Sequence, residues 1–276
     1  MTALRILKPG DEAALEAFLL RHAASSMFLR SNSRAVGLAD HGERLDGTYA
    51  AGFDGPEIVA VAAHYWNGNV VLQAPDHLTA VLDLAVGRSG RAVKGLVGPW
   101  VQAETARRRL DLDANSASLF SREILMSLPL DRLKVPAPLA SGKRLCRAGR
   151  ADEVEWLAAC NRTYQVEAVG RMDSPDLLDE CREAAGWNFE KWWVLTENDS
   201  PVSCTTFNAR LPDMVQVGGV FTPPDLRGRG YGRAVVAGSL LAARDEGAET
   251  AILFTGEKNE PAQRAYRALG FEEIGD

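Results

Sequence analysis

The sequence has few cysteines and histidines, and their positions exclude several kinds of site. The four cysteines are Cys146, Cys160, Cys181 and Cys204. No two of them form a CxxC pair, which argues against a disulfide framework or a zinc site and predicts buried or half-buried free thiols. The four histidines are His22, His41, His64 and His77. The second half of the chain therefore cannot build a Ser-His or Cys-His catalytic pair of its own, and we predict no metal site.

The chain also lacks an apolar run of about 18 residues, the length needed to cross a bilayer. Asp11, Glu12 and Glu16 interrupt the start, where a signal peptide would be continuously apolar. We therefore expect a cytoplasmic protein with no membrane partner. The net charge of −6 does not favour nucleic acid as a partner. A length of 276 residues, 46% of them hydrophobic, fits one large soluble domain or two of ordinary size.

The segment 131–144, "DRLKVPAPLASGKR", is typical of a linker, because two prolines, a glycine and a serine interrupt it. The segments that open the two halves, "LRILKPGDEAALEAFL" and "RLCRAGRADEVEWLAA", each predict a strand, a glycine turn and an acidic helix start. This weak repeat predicts two copies of one fold, at residues 1–136 and 142–276. We expect a strand at 120–128 to complete the first half.

Residues 223–236, "PPDLRGRGYGRAVV", form a glycine-rich turn that runs directly into a predicted helix. The alternating residues are Gly228, Arg229, Gly230, Tyr231, Gly232 and Arg233. Glycines allow backbone N–H groups to converge on a ligand, and a helix start adds free N–H donors, so the turn suits a diphosphate. The Gly-Lys-Ser/Thr of a Walker loop is absent, and Pro223 to Leu226 separate the glycines from the preceding strand, unlike in a dinucleotide fold. From these residues alone, a glycine-rich loop without a ligand remains an alternative.

Two stretches together, "VFTPPDLRGRGYGRAVV" and "LFTGEKNEPAQRAYRALGF", resemble the GCN5-related N-acetyltransferase (GNAT) superfamily. The residues that carry the resemblance are Arg227, Gly230, Gly232, Asn259, Ala262, Tyr266, Gly270 and Phe271. The first half resembles a degenerate copy without the glycine turn. The resemblance implies an α/β (α+β) fold of two tandem GNAT-like domains, each with a mixed, mostly antiparallel sheet flanked by helices. Of these, 142–276 would be catalytic, and 1–136 would not bind coenzyme A.

The resemblance implies transfer of an acyl group, usually acetyl, from acetyl-CoA to a primary amine by direct attack. The acceptor would be a small molecule or an amino terminus, and the protein a monomer or homodimer. Val220, Phe221 and Thr222 would bind the pantetheine arm, beside a strand that Gly218–Gly219 splay from its neighbour. The diphosphate would lie on the loop that ends at Gly232. The further cofactor-binding residues would be Arg227, Gly228, Arg229, Gly230, Tyr231, Arg233, Asn259 and Ala262.

Tyr266 would protonate the departing thiolate, since a phenol is protonated at neutral pH; the alternative is a core aromatic residue. The base is harder to assign, because Gln216 stands where several relatives have a glutamate, and an amide accepts no proton usefully. Glu167 is the best single candidate for the base, followed by Asp173 and Glu190. Alternatively, a chain of water molecules could remove the proton, or the amine could arrive already neutral. A non-catalytic acyl-CoA sensor is the alternative function.

Overall fold

The computed structural model describes residues 3–276, which form two compact units. The first unit ends at Asn115 and also includes Asp276, and the second comprises Ser116–Gly275. Within residues 3–276, no helix is both long and apolar enough to cross a membrane.

The first unit contains a five-stranded sheet between helices. Its elements are β1 (Ala3–Ile6), α1 (Glu12–Leu20), α2 (Met27–Val36), β2 (Gly47–Asp54), β3 (Glu57–Tyr65), β4 (Asn69–Gln73), α3 (Leu78–Ser89), β5 (Gly95–Val97) and α4 (Trp100–Arg109). The strands lie in the order β1-β2-β3-β4-β5, and only β4 and β5 are parallel. The apolar residues of α1 and α2 pack in one core with β2 and β3, and those of α3 pack in another.

The second unit contains a seven-stranded sheet. Its elements are β6 (Glu123–Pro129), α5 (Ala137–Ala140), β7 (Arg144–Ala148), α6 (Val154–Glu167), α7 (Pro175–Asn188), β8 (Trp192–Glu197), β9 (Ser200–Arg210), β10 (Met214–Phe221), α8 (Tyr231–Asp245), β11 (Thr250–Gly256), α9 (Glu260–Arg267) and β12 (Glu272–Gly275). The strand order is β12-β6-β11-β10-β9-β8-β7, and β10 and β11 are parallel. Helix α8 packs on one face of this sheet, and α6 and α7 pack on the other.

The two units repeat one succession of elements, as the similar segments at their starts predicted. From β1 in the first unit and from β7 in the second, the chain forms a strand, two helices and three antiparallel strands, followed by a helix, a parallel strand and another helix. The parallel pair is possible because the helix between its strands, α3 or α8, carries the chain back to the same end of the sheet. The predicted fold class, two tandem domains with mixed and mostly antiparallel sheets, is confirmed.

The prediction that a strand at 120–128 completes the first half is wrong. That strand is β6, and it lies between β11 and β12 in the sheet of the second unit. It pairs along its whole length with β11, from Glu123 opposite Gly256 to Pro129 opposite Thr250. The physical reason is burial: Met126 and Leu128 are fully buried in the core that α8 forms with this sheet. The units therefore separate after Asn115, before the predicted linker.

All four cysteines are free, as predicted. Cys160, Cys181 and Cys204 are buried, and Cys146 is half-buried. The buried three lie in the core beneath α6 and α7, where a thiol acts as a small apolar side chain.

Candidate functional site

The two parallel strands at the centre of the second unit separate before they end. Their last pair is Val217 with Leu253, although β10 continues to Phe221 and β11 to Gly256. The last residues of each strand thus have no ladder partner on the other, and a gap opens between them. A gap between parallel strands exposes main-chain N–H and C=O groups that an extended ligand can pair with.

A bulge in β10 causes this separation. Its register with β9 shifts between Gly218 and Phe221, and Gly219 has a φ of +58°, which favours glycine. A Cβ atom at Gly218 would lie 2.1 Å from the end of the Asn208 side chain, which would have to move to admit a larger residue. The Thr205 hydroxyl donates a hydrogen bond to the Gly218 carbonyl and fixes the bulge from the neighbouring strand.

The glycine-rich loop follows β10 and leads into α8. Gly228 and Gly230 have φ angles of +78° and +76°, in the left-handed region. No atom lies within 4 Å of a Cβ built on Gly228, so the space above the loop is open. Gly230 is the N-cap of α8, and no side chain caps the free N–H groups of the first turn. These donors, at the positive end of a 15-residue helix, suit an anion.

Two guanidinium groups lie close to the loop, and one of them, Arg144, is paired with Glu197 at 2.9 Å. An Nη atom of Arg144 and one of Arg233 each lie 3.9 Å from the position of a Cβ at Gly230. The Nε of Arg233 is buried, with no hydrogen-bond partner among residues 3–276. Arg144 on β7 donates to the Arg229 carbonyl over 3.2 Å and so supports the loop. The loop therefore fits a diphosphate both in its free space and in its charge.

The two remaining arginines of the loop differ in their contacts. Arg227 donates to the Thr222 carbonyl over 3.0 Å and forms an ion pair with Glu167, at 2.6 Å. Arg229 is exposed, and its guanidinium donates to the Asp225 carbonyl. Glu167, the predicted base, therefore lies beside the loop with a cationic partner, and its catalytic role stays a prediction.

The Tyr231 side chain points into the protein. It is buried, its hydroxyl donates to Glu197, and Arg144 lies over its ring at 4.4 Å from the centroid. Only its main chain can reach a ligand on the loop. A Cβ built on Gly232 would lie 3.5 Å from the Thr222 hydroxyl and 3.9 Å from Val220, so the helix start and the end of β10 lie close together.

Asn259 and Ala262 lie at the start of α9, just beyond the end of β11. The Asn259 side-chain oxygen accepts a hydrogen bond from the Ala262 N–H and caps the helix. Its main-chain N–H donates to the Gly256 carbonyl over 2.8 Å. This arrangement fixes Asn259 beside the gap, and its contact with a ligand stays a prediction.

Tyr266 extends from α9 into the core that also contains Leu269. Its ring lies edge-on to Phe271, with 6.0 Å between centroids. Burial raises the pKa of Tyr266 above its ordinary value, and the nearby phenol Tyr164 raises it further. The hydroxyl has no hydrogen-bond partner in the part of the chain that the structure describes. Tyr266 is thus protonated at neutral pH and available to donate.

The structure adds Tyr164 and Glu123 to this region, both of which sequence reasoning missed. Tyr164 lies near the end of α6, close to the Gly219 main chain in the bulge. Burial raises its pKa, and the carboxylate of Glu123 raises it further. Tyr164 occupies an ordinary helical position, and Glu123 was assigned to the first half, so no sequence signal placed either residue here.

Comparisons with known proteins agree with the fold. The sequence model described as Acetyltransferase (GNAT) family matches residues 154–271. A mycothiol acetyltransferase of Cellulomonas flavigena is 34% identical over 132 residues, which cover 44% of this chain but 37% of that protein. This chain thus spans well under half of that relative's length.

A longer alignment exists with a mycothiol acetyltransferase of Kocuria rhizophila, which is 27% identical over 252 residues, 83% of this chain and 82% of that protein. Among solved structures, a tandem GNAT protein from the clavulanic acid biosynthesis pathway superposes with a TM-score of 0.57. It is 12% identical, and the match covers 99% of this chain and 96% of that chain. This likeness shows the tandem architecture.

Proposed function

Because this chain belongs to the GNAT superfamily, with the family domain at residues 154–271, we propose that it transfers an acetyl group from acetyl-CoA to a primary amine. One observation carries the proposal: β10 and β11 separate after the pair Val217–Leu253, directly beside an open glycine loop at a helix start. A gap for an extended arm next to a diphosphate cradle matches the two ends of coenzyme A.

Main-chain groups would contribute to binding both the diphosphate and the pantetheine arm of acetyl-CoA. The free N–H groups at the start of α8 and the guanidinium of Arg233 would bind the diphosphate. The main chain of Val220, Phe221 and Thr222 would pair with the pantetheine arm, and Asn259 would contact it from α9. The Ser203 hydroxyl, which donates to the Phe221 carbonyl over 2.8 Å, would hold this part of β10 in place.

In the proposed reaction, the neutral amine attacks the thioester carbonyl carbon, a C–N bond forms and the C–S bond breaks. Main-chain N–H groups of the bulge would stabilise the charge that develops on the carbonyl oxygen. Tyr266 would donate its hydroxyl proton to the departing thiolate, and the proton that the amide nitrogen loses would restore the Tyr266 phenol. Its raised pKa keeps it protonated over the neutral range, so the proton is present when the C–S bond breaks.

The acceptor we propose is a small molecule, with an amino terminus as the second choice. The relatives named mycothiol acetyltransferases make the unacetylated precursor of mycothiol the first compound to test.

The first unit has only residues 74–77 between β4 and α3, without a glycine loop, and β4 keeps an unbroken register with β3. We therefore propose that the second unit alone binds the donor.

A non-catalytic acyl-CoA sensor is the alternative, and one observation favours it. Gln216 is buried on β10, and its side-chain oxygen has no hydrogen-bond partner within residues 3–276. An amide cannot serve as the base at this position. A sensor would bind acetyl-CoA without releasing the thiol.

The test begins with calorimetric titration of acetyl-CoA, free CoA and NADH. Saturable binding of the CoA species with no NADH binding is the expected result. The protein is then assayed for thiol release with a panel that contains the mycothiol precursor, an amino sugar and a peptide with a free amino terminus. Release with any of these supports the enzyme, and donor binding without release supports the sensor. No binding of any CoA species would refute both functions.

A further inference from the structure

The proposed acetyl transfer needs a group that takes a proton from the acceptor amine, since an ammonium ion has no lone pair with which to attack. Gln216 cannot supply this group. The Glu167 carboxylate is engaged by Arg227 at 2.6 Å. The inference below rests on the proposed function and concerns a third residue.

Strand register places Glu123 on the same face of the sheet as Gln216. Gln216 is paired with Ile252 on β11, and Ile252 is paired with Ser127 on β6. Glu123 precedes Ser127 by four residues, and side chains four apart in a strand share a face. The partner of Glu123 is Gly256, three residues past the last pair of β11 with β10. Glu123 therefore lies along the part of β11 that borders the gap.

Two tyrosines connect Glu123 with the gap. Burial raises the pKa of Tyr164, and the Glu123 carboxylate is near enough to raise it further; the Gly219 main chain in the bulge also lies close to this phenol. Tyr164 in turn is near enough to raise the pKa of Tyr266. Such electrostatic effects fall off with distance, so Tyr164 lies near both Glu123 and Tyr266. Tyr266 lies in the core on the α8 side of the sheet, whereas Tyr164 packs against the core on the α6 side.

The Glu123 carboxylate has no compensating partner. It is half-buried, and within residues 3–276 it forms neither an ion pair nor a hydrogen bond. The adjacent cation, Arg122, forms an ion pair with Glu257 at 3.8 Å. Burial raises the pKa of Glu123, and the titratable Tyr164 phenol lies near it. A partly buried carboxylate that has no cationic partner in the protein is suited to bind a cationic group of a substrate.

We propose that Glu123 binds the ammonium group of the acceptor and removes one of its protons. The proton moves from nitrogen to a carboxylate oxygen of Glu123, and the freed lone pair attacks the thioester carbonyl carbon. The C–S bond then breaks, the thiolate takes its proton from Tyr266, and the second proton that the amide nitrogen loses restores the Tyr266 phenol. The base thus comes from β6, a strand that precedes the rest of the second unit in the chain.

The experiment compares Glu123→Gln, Glu167→Gln and a matched control, Glu272→Gln, in the full chain. Glu272 is an exposed carboxylate on β12, the strand next to β6. For each variant we would measure kcat/KM against pH, with the fastest amine of the panel above, and the Kd of acetyl-CoA by calorimetry. Thermal unfolding confirms that each variant is folded.

Loss of a general base is expected to lower kcat/KM of Glu123→Gln by about 100-fold or more. The decline of activity at acid pH, where Glu123 becomes protonated, should disappear, while the Kd of acetyl-CoA stays within about twofold. Added formate should partly restore the activity of Glu123→Ala, because the small acid can occupy the vacated space. Glu272→Gln should behave as wild type.

Wild-type kcat/KM and an unchanged acid limb in Glu123→Gln would overturn the proposal while leaving the proposed acetyl transfer intact. A large loss confined to Glu167→Gln would also overturn it, and would assign the base to Glu167. A wild-type protein that binds acetyl-CoA but acetylates no amine would instead refute the proposed function, and this role with it.

Discussion

Val217 and Leu253 form the last pair of the parallel strands β10 and β11, and the gap beyond that pair is the centre of the candidate site. Residues from four elements lie near the gap, although β11 separates β6 from it. The bulge of β10 carries Gly219, α6 carries Tyr164, α9 carries Tyr266, and β6 carries Glu123. The predictions below test the donor loop, the proton donor, the added strand and the electrostatics of the first unit.

The substitution Gly228→Ala is expected to weaken acetyl-CoA binding at least tenfold, or about 1.4 kcal/mol. The methyl group would occupy open space above the loop, where the phosphates would lie. Gly142→Ala is the matched control, because Gly142 has a φ of +75° and equally open surroundings but lies between α5 and β7. Each alanine should cost about 1 kcal/mol of stability. Equal effects of the two substitutions on the Kd would argue against the loop as the diphosphate site.

The substitution Tyr266→Phe is expected to lower kcat about tenfold or more and leave the Kd of acetyl-CoA unchanged, since it removes only the hydroxyl that protonates the thiolate. Steady-state kinetics and calorimetry on the same preparation check both quantities. Unchanged turnover would leave Tyr266 as an aromatic residue of the core beside Phe271.

The substitution Leu128→Ala should lower the free energy of unfolding of the second unit by about 2–5 kcal/mol, because Leu128 is fully buried. Leu145→Ala, on β7 of the same sheet, removes a side chain that is 57% exposed and should cost less than about 1 kcal/mol. Denaturant unfolding followed by tryptophan fluorescence measures both values. Similar losses would mean that β6 adds little to the core.

A shortened chain of residues 142–276 should fail to fold cooperatively, whereas residues 116–276 should fold. The shorter chain lacks β6, so β11 loses its antiparallel neighbour and β12 loses its only partner in the sheet. The core around Met126 would then be exposed to water. Far-UV circular dichroism during thermal unfolding distinguishes the two outcomes, and a stable 142–276 would contradict the observed strand pairing.

The first unit should lose stability in acid through Asp40. The hydrogen-bonded Arg91 guanidinium lowers the pKa of this carboxyl from 3.8 to about 2. Because the folded pKa is depressed, the stabilisation is present above pH 3.8 and is lost as the pH falls towards 2. Asp40→Asn should therefore destabilise by about 2 kcal/mol at pH 6 and by much less near pH 2. Asp54→Asn, at the exposed end of β2, is the control and should change little at either pH.

The loop and the strand before it could be predicted from sequence because their requirements are local. Glycine is needed where φ is positive, as at Gly228 and Gly230, and the helix start follows within a few residues. The doubled glycine at 218–219 likewise predicted the splayed strand that the structure has. Tyr266 was found through a motif whose members lie on one short helix and the turn after it.

Contacts between residues that are distant in the sequence could not be predicted in this way. Glu167 is distant in sequence from Arg227, and no pattern along the chain records their ion pair. Glu123 lies before the predicted linker, so its sequence position assigned it to the wrong half. Only strand pairing with β11 brings it to the gap.

The sequence by itself thus determined the repeated fold, the glycine loop and the residues of the family motif, because secondary structure and turn geometry depend on neighbouring residues. The tertiary structure alone decided which sheet β6 joins and that Glu123 lies opposite Gly256 of β11. These depend on burial of Met126 and Leu128 against α8, a long-range gain that local sequence patterns do not encode.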